Sequence, residues 1–172
     1  MGNAFDDSSD TPAAVAFALE EHGLLRHFLG VVRALARGEE HSRQDLLDAC
    51  DGAIRYFTES FPLLIADEDA SIARRLEGCD PALDEAIHAM REEHEALAPA
   101  LGALVTQLAL VRAEPESAQH RAELLRLAMS LSVAVEHHLQ AEERGVLAAL
   151  AERVPPSEQA TILAELRARR GG

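Results

Sequence analysis

His138 and Glu142 stand four residues apart in the stretch HHLQAEE at 137–143. That spacing sets an imidazole and a carboxylate about 40° apart around a helix, close enough to share one ion. Nitrogen and oxygen donors of this kind suit iron, manganese or zinc. The same spacing is common on solvated helix faces, so its meaning depends on what other elements bring to the same level. Glu68 lies four residues after Leu64, seven after Phe61 and four before Ile72. This core spacing turns its carboxylate inward, where it must be paired or bound to a cation. Asp67 and Asp69 fall to the sides. His22 shares a stripe with Val15, Leu19, Leu25 and Leu29, and His94 shares one with Ile87, Leu97 and Leu101. Each of these histidines alone reads as a core residue. Inward polar groups from four helices at one level read better as ligands of a shared ion.

The elements that must bring them together are helices. Ala, Leu, Glu and Arg dominate, aromatic residues make up 3% of the chain, and β-branched runs are too short for strands. The first predicted helix opens with Thr11 as cap and Pro12, buries Val15, Ala18, Leu19, Leu25, Phe28, Leu29, Val32 and Leu35, and stops at Gly38. The second runs from a Ser42 cap to Gly78, with Pro62 predicting a kink or local loosening near Glu68. The third starts at Asp80 and Pro81, kinks at Pro99 and reaches about Val111. Ser117 caps the fourth, which continues to about residue 152, and after Pro155 and Pro156 Ser157 caps a short helix through about Arg167. Short connections predict an all-α fold, an antiparallel up-down-up-down four-helix bundle over 12–152. Residues 1–11 are expected to be extended or disordered, and 153–172 to form the short C-terminal helix and tail. In such a bundle the candidates sit roughly 10 to 15 residues in from one common end, within roughly one or two turns of a plane.

A chain of 172 residues that is 48% hydrophobic can build one domain with a substantial core. Its formal net charge of -14 argues against nucleic acid and anionic membrane surfaces as partners. No apolar run is expected to reach the roughly 18 to 20 residues of a membrane span. The acidic start MGNAFDDSSD is unlike a secretion signal, and Asp6 stands where myristoylation prefers Ser or Thr. A cytoplasmic protein is expected. Cys50 and Cys79 read as buried thiols on one helix, some 40 Å apart and unable to bridge. His27, His41, His88, His120 and His137 fall off the inward faces and are expected mostly in solvent. No strand-turn-helix elbow presents a serine and neither cysteine lies near a base, so no turnover is inferred.

Four stretches carry a further signal: EEHGLL around His22, FPLLIADEDASI around Glu68, REEHEAL around His94 and VEHHLQAEERGVLAAL around His138 and Glu142. Together, over residues 12 to 152, they resemble the hemerythrin-like, or HHE cation-binding, domains. The resemblance implies a non-heme di-iron site that binds or senses dioxygen, nitric oxide or iron. It would make His22, His94 and His138 terminal ligands, and Glu68 and Glu142 bridges. Leu64 stands where the family pattern has a histidine, and Met90 where some members carry another. The iron served by helices 1 and 2 would then keep only His22 and the shared carboxylates, so one or two ions are expected. A reading from another class is a metal-free structural or protein-interaction bundle whose site has decayed. Oligomeric state is left open.

Overall fold

Three helices open where a short polar side chain can take up a free backbone N–H. Ser42 accepts from the Asp45 N–H at 3.1 Å, Asp80 from that of Leu83 at 2.9 Å and Ser117 from that of His120 at 3.3 Å, each capping the helix that follows. In a computed structural model that describes residues 11–171, these caps start α2 (residues 43–76), α3 (Pro81–Ala113) and α4 (Ala118–Arg144). They follow α1 (Ala13–Arg37) and precede α5 (Val146–Arg153) and α6 (Pro156–Arg169). The expected extended N-terminus falls, but for Thr11, outside the described residues. Two expected caps are not used. Pro12 precedes α1 and Pro155 precedes α6, with no side-chain cap at either. The fixed φ of Pro12 and of Pro156, at the first position of α6, already sets the helical entry, which leaves Thr11 and Ser157 without that role. Gly38 ends α1 with φ 70, a left-handed conformation that a residue with a Cβ adopts at a cost.

α2 is a continuous rod with two wide turns. In Tyr56–Ser60 and Glu68–Ile72 the bonds reach five residues, from the Phe61 N–H to the Tyr56 carbonyl and from the Ala73 N–H to that of Glu68. The first comes just before Pro62. A proline cannot donate to the fourth residue back and crowds that carbonyl, and widening the preceding turn relieves both. The loosening expected there is thus a bulge and not a break. α3 continues through Pro99 to its end. The fourth helix, expected to reach residue 152, is instead divided at Gly145. The Ala141 carbonyl oxygen lies 3.1 Å from where a Cβ on Gly145 would stand, so a side chain here would crowd the carbonyl and have to push it aside by a few tenths of an ångström.

The all-helical bundle is assembled with α4 packed on α1 and α3, and α2 on α1 and α3. α6 lies against α1 and the second wide turn of α2. Its interior is divided. A larger apolar cluster holds Leu25, Leu29, Leu64, Leu97, Leu101, Leu131, Val135 and Leu139 among others. A smaller one holds Val15, Ala18, Ile72, Leu76, Met90, Val146, Ile162 and Leu166 among others. Along α1 the clusters change over between 18 and 25, along α2 between 64 and 72, along α3 between 90 and 97, and from α4 to α5 between 139 and 146. Each gap contains one candidate residue, His22, Glu68, His94 or Glu142, and His138 lies one residue before the last gap. Burying one large apolar side chain stabilises by about 1.5–3 kcal/mol, so two such clusters can hold the bundle around a polar layer.

Three expectations need correction. Leu19 is 40% exposed; the turn of α1 that buries Ala18 and His22 carries Leu19 to the outer face. Cys50 is buried, with burial pushing its thiol up to about 11, but Cys79 is exposed and both are free, since Cys79 lies in the turn after α2. Finally, Pro81–Ala113 is long and apolar enough to cross a membrane by length and composition, and only 33% of its apolar 18-residue stretch is buried. Alanines on its outer side raise its apolar content, while Leu97, Leu101, Leu104 and Leu108 face the bundle interior.

Candidate metal centre

Between the two clusters the layer is built from one residue of α1, one of α2, one of α3 and two of α4. His22, Glu68, His94, His138 and Glu142 are all buried. The three histidines turn Nε2 to the middle. His22 Nε2 is 3.2 Å from Glu68 Oε1 and 3.4 Å from Glu142 Oε2. His94 Nε2 is 3.0 Å from Glu68 Oε2 and 3.2 Å from His138 Nε2. His138 Nε2 lies 3.8 Å from Glu142 Oε2. Glu68 therefore gives one oxygen to each half of the layer. Two groups of donors follow, His22 with Glu68 and Glu142, and Glu68 with His94 and His138, each with its ligand atoms within 4.8 Å of one another. All five residues read from the sequence are brought together.

The outer edge of each imidazole has an acid of its own. His22 Nδ1 is 3.0 Å from Glu143 Oε1, which also accepts from Arg26 at 2.9 Å. His138 Nδ1 is 2.7 Å from Glu93 Oε2, and His94 Nδ1 faces Asp69 Oδ1 at 3.3 Å. The His94–Asp69 approach lacks hydrogen-bond geometry, but at His22 and His138 an Nδ1–H that donates to its carboxylate leaves the Nε2 lone pair free to bind a cation and raises its basicity. The sequence reading passed over these three acids because they lie partly exposed beside the core faces. A signal was present: Glu143 follows Glu142, Glu93 precedes His94 and Asp69 follows Glu68, and each serves a histidine on a neighbouring helix. Asp67, placed to the side in the sequence reading, is instead 2% exposed and turned to Arg169 and Arg170. Histidines 27, 41, 88 and 137 are exposed, while His120 is half-buried beside Gln107.

The charges respond to this packing. Burial disfavours the charged form of His22, yet the adjacent Glu142 and Glu68 carboxylates outweigh it and raise its pKa to about 10. His94, also opposed by burial, is raised chiefly by Glu68. Glu68 is drawn below the ordinary carboxylate range by His22 and His94 in spite of its burial. Glu142 is pushed up to about 7 by burial and by the negative charge of Glu68, with His22 opposing. A metal ion entering the layer must therefore displace protons.

The donor set fits a cation. Both carboxylate oxygens of Glu142 and Oε2 of Glu68 are buried without a hydrogen-bond partner, a costly arrangement unless a positive charge meets them. Bonds of about 2.1 Å to one ion at right angles would place neighbouring donors about 3.0 Å apart, against the 3.0 to 3.4 Å found from His22 and His94 to their closest donors. A helical bundle with a buried layer of imidazoles and carboxylates at this spacing has the form of a cation-binding protein. The family model of the hemerythrin HHE cation-binding domain matches residues 13–150, and the chain belongs to that family. No curated protein and no solved structure gave a match.

Proposed function

We propose that the chain is a non-heme metal protein in which His22, Glu68, His94, His138 and Glu142 hold a pair of ions, with iron as the metal and zinc or manganese as the substitutes the donors also accept. Glu68, with one oxygen in each donor group, is the observation that carries this reading. The family resemblance would have Glu68 and Glu142 shared between the ions and each histidine hold one of them; of the two carboxylates, Glu68 belongs to both donor groups and Glu142 to the His22 group. When bound, iron supplies redox chemistry and an open coordination position for a small ligand such as dioxygen or nitric oxide. The protein residues orient the donors and exclude water, with Leu25, Leu64, Leu97 and Leu139 on one side of the layer and Ala18, Ile72, Met90 and Val146 on the other. His94 stands in the lining of an apolar cleft of about 430 Å³ with Phe57, Phe61, Ile65 and Leu101, a route by which a small apolar molecule can approach the His94 half. The bundle is read as antiparallel and up-down-up-down over 12–152, because its connections are short, and the protein as cytoplasmic.

Anaerobic loading with iron(II), followed by gel filtration and elemental analysis, tests the reading. Iron retained at the level of a pair of ions per chain, with visible absorption after exposure to air, is the expected result. Protein that stays colourless and retains no iron, zinc or manganese would establish the metal-free bundle in its place. Leu64 is buried beside the layer, so the His22 half has one imidazole to the other half's two. Leu64→His should slow the loss of one ion to a chelator. An unchanged release profile would mean that this half gains nothing from a second nitrogen.

A further inference from the structure

α6 lies beyond the family match, which ends at residue 150, yet its last residues grip the turn that carries Glu68. We propose that Arg169 and Arg170 are positioning residues for the Glu68 carboxylate, so that metal retention depends on the C-terminal helix. The inference rests on the metal-binding reading given above. Arg169 donates from Nη1 to Asp67 Oδ1 at 2.6 Å and from Nη2 to Ser71 Oγ at 2.6 Å. Arg170 donates from Nη1 to Asp67 Oδ2, also at 2.6 Å. Asp67 and Ser71 bracket Glu68, and both are buried.

The turn they bracket is one that needs outside support. Glu68–Ile72 is wide, and such turns persist where surrounding contacts fix them. Glu165 of α6 accepts from Ser71 Oγ at 2.7 Å and from Arg75 at 2.5 and 2.9 Å, and Arg75 donates back to the Ser71 carbonyl. Arg170 does more. Its Nη2 lies 3.1 Å from Glu21 Oε2, and its guanidinium sits 4.9 Å over the Phe17 ring. It therefore ties the residue before Glu68 to the residue before His22, the pair whose inward atoms are 3.2 Å apart. A rigid guanidinium fork suits this double duty, which a flexible ammonium does not reproduce. Four acids, Glu21, Asp67, Glu158 and Glu165, meet the three arginines Arg75, Arg169 and Arg170 here, so removing Arg170 leaves Asp67 held by Arg169 alone, with its second oxygen short of a donor and freer to turn.

The test is titration of the full-length protein with cobalt(II), whose visible band reports the coordination of the ion as well as its uptake. Arg170→Ala should weaken cobalt binding about tenfold, the low end of what loss of a supporting contact costs a metal site, and change the band shape. Leu124→Ala, in the larger cluster and roughly four turns from His138, should lower stability while leaving affinity and band intact. Wild-type affinity and spectrum in Arg170→Ala would overturn the proposal, as would equal weakening in Leu124→Ala. Should the alanine variant not fold, Arg170→Lys carries the test: an altered band supports the role, and a wild-type band and affinity refute it. A wild-type chain that takes up no cobalt would sink the metal reading itself, and this inference with it.

Discussion

Glu68→Gln protein is expected to lose both ions together, while His22→Ala and His138→Ala should each lose one. Glu68 is the single residue common to the two donor groups, with Oε1 directed to His22 and Oε2 to His94. An amide in its place keeps the volume but removes the charge and half of the donor capacity. Because the substitution is nearly isosteric and lowers the negative charge of a buried layer, the helices should survive it, which circular dichroism would verify. Elemental analysis is the deciding measurement, with metal per chain near zero for the Gln variant and about half of wild type for each histidine variant. A Gln variant with full metal content would remove Glu68 from the site.

Stripping the metal should lower the melting temperature and reverse its dependence on pH between about pH 7 and pH 10. Without metal, the raised pKa of His22 means that its contribution is fully present below the ordinary 6.5 and is lost as pH climbs toward about 10. His94 acts in the same direction. Glu142, raised from 4.5 to about 7, has lost its contribution by the bottom of that window. Glu68, shifted down, contributes above its ordinary range and matters only in acid. Metal-free protein should therefore melt lower at pH 9 than at pH 7. With metal bound, neutral imidazole and ionised carboxylate are the favoured forms, and fewer competing protons strengthen binding as pH rises. Free metal at a hundred times its dissociation constant stabilises by about 2.7 kcal/mol, or about 5–10 °C for a chain of this size. The same pH slope with and without metal, read by calorimetry, would show that these groups are not the ligands.

The positions of His22, Glu68, His94, His138 and Glu142 were legible because helical rise is constant. Counting from capped ends places five side chains at one level, and the caps at Ser42, Asp80 and Ser117 are local enough to be read directly. What the sequence concealed depends on contacts between helices. Leu64 and Pro62 mark α2 as unusual, but the second wide turn at Glu68–Ile72 has no proline to announce it. Gly145 interrupts a stretch whose helical period continues on both sides, and its closeness to the Ala141 carbonyl appears only in three dimensions. Asp69, Glu93 and Glu143 are three acids in a chain with 30 Asp and Glu, and only the neighbouring helix distinguishes them from solvated charge. Asp67 looked equally ordinary. Its partners, Arg169 and Arg170, are about a hundred residues away along the chain, beyond any pattern of helical period.

The smaller apolar cluster has a consequence for biosynthesis. Val15 and Ala18 reach it early in translation, whereas Ile162 and Leu166 come late, and Arg170 follows them. A ribosome that has delivered His22, Glu68, His94 and Glu142 has thus made the donors without finishing their enclosure. Under the metal-binding reading proposed above, a cation offered to that nascent chain would meet them still open to water, and loading would belong after the helix at 156–169 has docked. By the same reading, a protease that cuts at Pro155 would release a bound ion without touching any of the five proposed ligands.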